Sequence, residues 1–184
     1  MVTNLYFVRH AHSIYTADEY NRPLSEQGLI DTEQVTNILK GCMINHVISS
    51  PYKRAKQTVE GIADYIGQEI VTVEDLKERV LSNKPIRNFQ EAISKLWEND
   101  SYSWDGGESN LDAQKRAVSA VQDILQTYED NNIVIGSHGN IMVLIMNFFD
   151  AKYDFEFWRQ LSMPDIYQLS FSEHQLFSVK RLWN

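Results

Sequence analysis

Apolar positions along this chain recur at two periods, and the switches between them divide it into short strands and longer helices. Residues 5–8, Leu-Tyr-Phe-Val, are an apolar run of strand formers leading straight into Arg9 and His10. Residues 11–23 are polar and loop-like. Ser25 then has the character of an N-cap, and Leu29, Val35, Ile38 and Leu39 space a helical stripe to about Lys40. Residues 47–50 read as a second strand ended by Pro51, followed by a helix over 52–66 that Gly67 stops. A third strand of β-branched character is expected over 69–73, with a loop or short turn over 76–81.

Phe89, Ile93 and Leu96 predict a helix over 88–97. Ser109 with Asp112 resembles a capping box opening a helix that runs to about Tyr128. Residues 133–135 form a wholly apolar strand, closed by Gly136-Ser137-His138-Gly139, and another helix follows over 140–148. The tail alternates over 166–182 about a turn at 172–175, the pattern of a hairpin. Strands alternating with helices imply an α/β fold: a three-layer α/β/α sandwich with a mostly parallel central sheet and a C-terminal hairpin. No repeat or linker divides the 184 residues, so one domain over 1–184 is expected.

Composition narrows the partners. With 43% hydrophobic and 23% charged residues the chain is an ordinary globular protein. Its net charge of −8 argues against nucleic acid, whose phosphate backbone requires a clustered basic surface. A small anionic substrate stays open, since a few placed arginines make a cleft locally positive. The single cysteine, Cys42, allows no internal disulfide and suggests a reducing compartment. The N-terminal residues carry no signal-peptide pattern, and the longest apolar stretch, 141–149, is too short to span a bilayer. A soluble, cytoplasmic protein without membrane partners is expected; its oligomeric state is not encoded in any readable motif.

The chemistry concentrates at strand ends. His10 and His138 each follow a strand, and in an open parallel sheet ligands bind just beyond the carboxyl ends of the strands. Arg9 precedes one histidine, and Arg54 lies one turn into the helix after the second strand. A lone histidine at a strand end is usually a hydrogen-bonding cap, and a lone arginine is usually solvated. Two of each at one sheet edge suit a phosphoryl group, whose oxygens match planar guanidiniums.

Three segments carry a family resemblance. They are Val8-Arg9-His10-Ala11-His12-Ser13, Ser49-Ser50-Pro51-Tyr52-Lys53-Arg54-Ala55-Lys56-Gln57-Thr58 and Gly136-Ser137-His138-Gly139-Asn140. Weaker echoes are Arg22-Pro23-Leu24-Ser25-Glu26-Gln27-Gly28 and Gly107-Glu108-Ser109. In this order they resemble the histidine phosphatase, or phosphoglycerate mutase-like, superfamily across nearly the whole chain. The resemblance implies that His10 is a nucleophile forming a phosphohistidine, and that Arg9, Arg54 and His138 hold the phosphoryl oxygens. It implies Glu78 as general acid, no metal and no cofactor, and a small phosphorylated substrate. If Arg79 pairs with Glu78, it would favour the ionised form and weaken that acid role. Ser13 and Asn21, in the first loop, are further candidate donors to phosphate or substrate.

Two features depart from the pattern: Ala11 replaces a glycine, and the first loop lacks a Trp-Asn pair. The compact interval between Glu78 and His138 offers Arg79, Arg87 and Arg116 with no adjacent arginine pair, which favours hydrolysis over mutase transfer. Asn140 after Gly139 points towards the mutases. A phosphomonoester phosphatase is the leading expectation, a phosphoglycerate mutase the alternative, and a non-catalytic phospho-ligand-binding module the third reading.

Overall fold

The computed structural model describes residues 2–184, so of the expected 1–184 unit only Met1 lies outside the described residues. The strands are β1 (Thr3–Arg9), β2 (His46–Ser49), β3 (Val71–Thr72), β4 (Asn132–Ser137), β5 (Asp165–Ser172) and β6 (Gln175–Arg181). The helices are α1 (Glu26–Lys40), α2 (Lys53–Ile66), α3 (Phe89–Glu98), α4 (Asn110–Thr127), α5 (Gly139–Phe149) and α6 (Phe155–Arg159). The sheet order is β3-β2-β4-β1-β5-β6. The first four strands run parallel, while β5 runs antiparallel to both β1 and β6. This is the expected mostly parallel sheet with a C-terminal hairpin.

The period of two along β1 assigns its side chains to opposite layers. Leu5 and Phe7 face α4 and α5, in a core with Ala117, Val121, Ile141 and Ile145. Tyr6 and Val8 face α1 and α2, in a core with Val35, Leu39, Val59 and Ile62. Each fully buried Val, Leu or Ile contributes roughly 1.5–3 kcal/mol relative to exposure.

Local signals set several boundaries. The Ser25 side chain accepts from the Gly28 amide, and Ser109 accepts from the Asp112 amide. Gly67 ends α2 at φ 67°, a left-handed conformation that costs glycine little. The hairpin turns at Glu173 and His174, both at positive φ.

The strand expected over 69–73 is reduced to Val71–Thr72, because β3 is a fully exposed edge with only β2 to pair with. Helix α6 was not anticipated; at five residues, capped by Asp154, it is too short to show a period. Strand β5 does not alternate as expected but is buried on both faces, since it lies between β1 and β6 under both layers. No helix of the described residues is long and apolar enough to cross a membrane.

Candidate active site

Parallel register brings the signature segments together. Val8 of β1 lies opposite Gly136 of β4, and Ser49 of β2 lies opposite the same Gly136. The ladder continues one step past the strands, with the His10 amide on Ser137 O (3.0 Å) and the Ser50 amide on Gly136 O (2.8 Å). Three strands therefore end level, so His10, Ser50 and His138 emerge at one edge of the sheet. The His10 and His138 rings are 5.2 Å apart, edge to face.

Nδ1 of His10 lies 2.8 Å from the Ala11 carbonyl. A carbonyl only accepts, so Nδ1 carries the proton and Nε2 keeps its lone pair. That lone pair accepts from Arg54 Nε at 3.2 Å. Burial drives the imidazole from its ordinary 6.5 to about 3, with Arg54, Arg9 and Arg22 adding repulsion. His10 is thus a neutral, oriented base with a lone pair at Nε2. Ala11 is absent from the non-glycine residues at positive φ, and its amide donates to Thr58 Oγ1 (3.0 Å), so alanine fits without backbone strain.

His138 is fully buried at the start of α5. Its Nε2 lies 2.7 Å from Ser50 Oγ, which already accepts from the Tyr52 amide (3.2 Å). The Ser50 hydroxyl proton has no other acceptor among the described residues, so it goes to Nε2, which places the ring proton on Nδ1. That nitrogen has no partner among the described residues, leaving a buried donor for a phosphoryl oxygen. Burial, then repulsion from His10 and Arg54, holds His138 well below its ordinary value.

The arginines reach the edge from different elements. Arg9 Nη1 donates to Leu161 O (3.1 Å) and Ser162 O (3.0 Å), which anchors its head. Gly139 makes room for it, since a Cβ there would lie 2.9 Å from Arg9 Nε. Arg54, 2% exposed, has Nη1 on Glu19 O (2.8 Å) and Nη2 3.3 Å from the Glu19 carboxylate. Its face packs on the Tyr52 ring at 4.7 Å. Arg22 holds the other Glu19 oxygen at 2.8 Å.

Glu78 sits at the N-terminus of α5. Its oxygens accept from the amides of Asn140 (3.0 Å), Ile141 (3.2 Å) and Arg79 (3.0 Å). The feared side-chain pair does not form: only the Arg79 backbone touches Glu78. Arg116 of α4 braces this segment, gripping Glu108 at 2.6 and 2.8 Å while donating to Asp75 O (2.6 Å) and Lys77 O (3.0 Å).

These groups open on a cavity of about 760 Å³, within the range of roughly 300–1,000 Å³ that takes small organic ligands. Arg9, His10, Ser13, Arg54 and Glu78 line it, and His138 lies just beneath. Asn21 does not: its amide donates to Asp18 (2.8 Å), and it stays outside the wall. His12, which is exposed, reaches the wall and bonds Ser25 Oγ at 2.8 Å. Glu19, Arg22, Ser50 and Tyr52 were not anticipated. Arg22, Ser50 and Tyr52 stood inside the quoted segments, whereas Glu19 carried no signal. Five cations and two carboxylates border the cavity of this acidic protein. Among the described residues no group of three or more His, Cys, Asp and Glu could hold a metal ion.

The chain is 28% identical to the probable phosphoglycerate mutase GpmB of Yersinia pestis (strain Pestoides F), over 73% of this chain and 69% of the relative. The fold is similar to a mycobacterial glucosyl-3-phosphoglycerate phosphatase, with TM-score 0.79, 18% identity and 100% and 99% of the two chains covered. It is also similar to phosphoserine phosphatase of Entamoeba histolytica in complex with phosphoserine, with TM-score 0.78, 21% identity and 96% of each chain covered. The family model of the histidine phosphatase superfamily (branch 1) matches residues 5–184, and the chain belongs to that superfamily.

Proposed function

We propose that this protein is a phosphatase that hydrolyses a phosphomonoester through a phosphohistidine on His10, within one domain and without a metal. The observation that carries this reading is the His10 ring, whose Nδ1 proton is committed to Ala11 O while Nε2 faces Arg54. Nε2 attacks phosphorus in line, a P–N bond forms, and the ester P–O bond breaks. Arg9, Arg54 and the Nδ1–H of His138 take the equatorial oxygens and offset their charge. Glu78 delivers a proton to the leaving alkoxide, then accepts one from the water that attacks the phosphohistidine. Phosphate departs and Nε2 recovers its lone pair. Ser13, on the cavity wall, contributes a further donor to the phosphoryl group.

The test uses p-nitrophenyl phosphate with a chelator present, together with acid quench during turnover. Hydrolysis and an acid-labile phosphoryl group on the protein are expected, and both disappear in His10→Ala. Full activity in that variant removes the proposal.

The name of the Yersinia relative supports a second reading as a phosphoglycerate mutase. Exchange between the two monophosphoglycerates faster than phosphate release, after priming with the bisphosphate, would favour it. Against it, Arg116 is consumed by Glu108 and Arg87 is absent from the cavity wall, leaving Arg79 as the one arginine of that interval at the site.

A further inference from the structure

Among the described residues, Arg9 has its head fixed by main chain alone. Its Nη1 donates to Leu161 O (3.1 Å) and Ser162 O (3.0 Å), while its Nε is buried without a partner. Fixing Nη1 reserves the Nε–Nη2 edge of the guanidinium, which can meet two oxygens of one anion. The aim of that edge depends on the placement of two carbonyls. Both belong to the short link between α6 and β5.

That link is pinned from the last strand of the fold. Asp165, the first residue of β5, is fully buried and lies opposite Arg9 in the β1–β5 register. Its Oδ2 accepts from the Ser162 amide at 2.9 Å, and its Oδ1 from the Ile166 amide at 3.0 Å. Arg181, the last residue of β6, grips the same carboxylate with two prongs, Nε on Oδ1 (2.9 Å) and Nη2 on Oδ2 (3.1 Å). Such two-pronged, charge-assisted bonds fix orientation as well as supplying energy. Arg181 Nη2 also donates to Ser162 Oγ at 2.7 Å. A simple clasp of the hairpin would explain the Asp165–Arg181 pair. It would not explain why Ser162, whose carbonyl carries Arg9, is held at both its amide and its hydroxyl.

We infer that Arg181 and Asp165 are positioning residues for Arg9: from the C-terminal hairpin they lock Ser162, whose carbonyl aims the guanidinium at the phosphoryl oxygens. This rests on the phosphatase reading and extends its machinery to the edge strand β6. Neither residue lines the cavity, so both act only through Arg9. With Ser162 loosened, Arg9 must be re-ordered at each encounter with substrate, and a misplaced charged group loses much of its effect.

The experiment is a double-mutant cycle of Arg181→Ala with Arg9→Ala. It is read in the dissociation constant for orthovanadate and in kcat/KM on p-nitrophenyl phosphate, well below the melting temperature of each variant. Arg181→Ala should lose about ten- to a hundredfold in both readings. On the Arg9→Ala background the same substitution should cost less than about twofold, because the group it aims is gone. Arg181→Lys, which keeps the charge without the fork, lies between parent and Arg181→Ala. The Arg181 side chain is 42% exposed, which favours a folded variant. If Arg181→Ala does not fold, Ser162→Ala removes only the hydroxyl link and carries the same cycle, with an expected loss of about three- to tenfold. Equal losses on both backgrounds overturn the inference and leave Arg181 a clasp of the hairpin, as do parent-like values in the folded Arg181→Ala variant. Hydrolysis of p-nitrophenyl phosphate by the parent is read alongside. Its absence sinks the phosphatase reading while the vanadate cycle still decides the positioning, whereas additive losses with that reaction intact sink only the positioning.

Discussion

Arg54 Nε donates to His10 Nε2 across 3.2 Å, joining residues 44 positions apart. The bond covers the lone pair that would attack phosphorus. In the proposed mechanism an arriving phosphoryl group takes Arg54 as its own partner, which uncovers Nε2 as the electrophile comes into line. The other nitrogens of Arg54 lie on Glu19, whose carboxylate bridges Arg54 and Arg22 where a phosphate oxygen would compete.

Glu19→Gln should therefore bind substrate more tightly. Glu19 is half exposed, so its ion pairs are screened and worth about 0.2–1 kcal/mol. The expected result is a KM, and a product-inhibition constant for phosphate, lower by up to about fivefold. An unchanged KM would show that Glu19 leaves the site without cost.

The Glu78 assignment is read through the leaving group. A general acid contributes about 10²–10⁴-fold when the departing oxygen is a poor leaving group, and little for nitrophenolate. Glu78→Gln should slow an alkyl phosphate by that factor while affecting the first step on p-nitrophenyl phosphate far less. Equal loss on both substrates in burst kinetics would instead make Glu78 a brace for α5.

The buried histidines make stability depend on pH in a defined direction. Unfolded, each takes up a proton near its ordinary 6.5; folded, His10 resists until about 3 and His138 is also shifted far down. Below pH 6.5 the unfolded chain binds more protons, so these groups lower stability as pH falls from 6.5 towards 3 and add no slope above 7. His10 should remove about 2 kcal/mol between pH 7 and pH 5, and His138 acts in the same direction. Urea unfolding at the two pH values checks this, and His10→Asn should lose the His10 share of the drop, about 2 kcal/mol. A drop that survives intact in that variant would refute the assignment. For the same reason, the acid limb of kcat/KM above pH 4 should not report His10.

Much of the frame was readable locally. Ser25 and Ser109 mark helix starts and Gly67 a helix end because capping is settled within a few residues. Arg9, His10, Arg54 and His138 stood out because each directly follows a strand or opens the next helix. Asn21 misled because its neighbour Asp18 captures the amide, a local competition that polarity alone does not reveal. Helix α6 is too short for periodicity, and β3 lost length for want of a second neighbour.

The amino-acid order alone determined which segments become strands and helices and which residue types stand at their ends, since periodicity and capping act over a few residues. Tertiary structure decided that β1, β4 and β2 finish level, so that residues 10, 50 and 138 meet. It also decided which buried groups are satisfied and which, like Nδ1 of His138, are left free. Those are properties of register and of the complete set of partners around each atom, contributed by segments far apart in the chain, and no local pattern contains them.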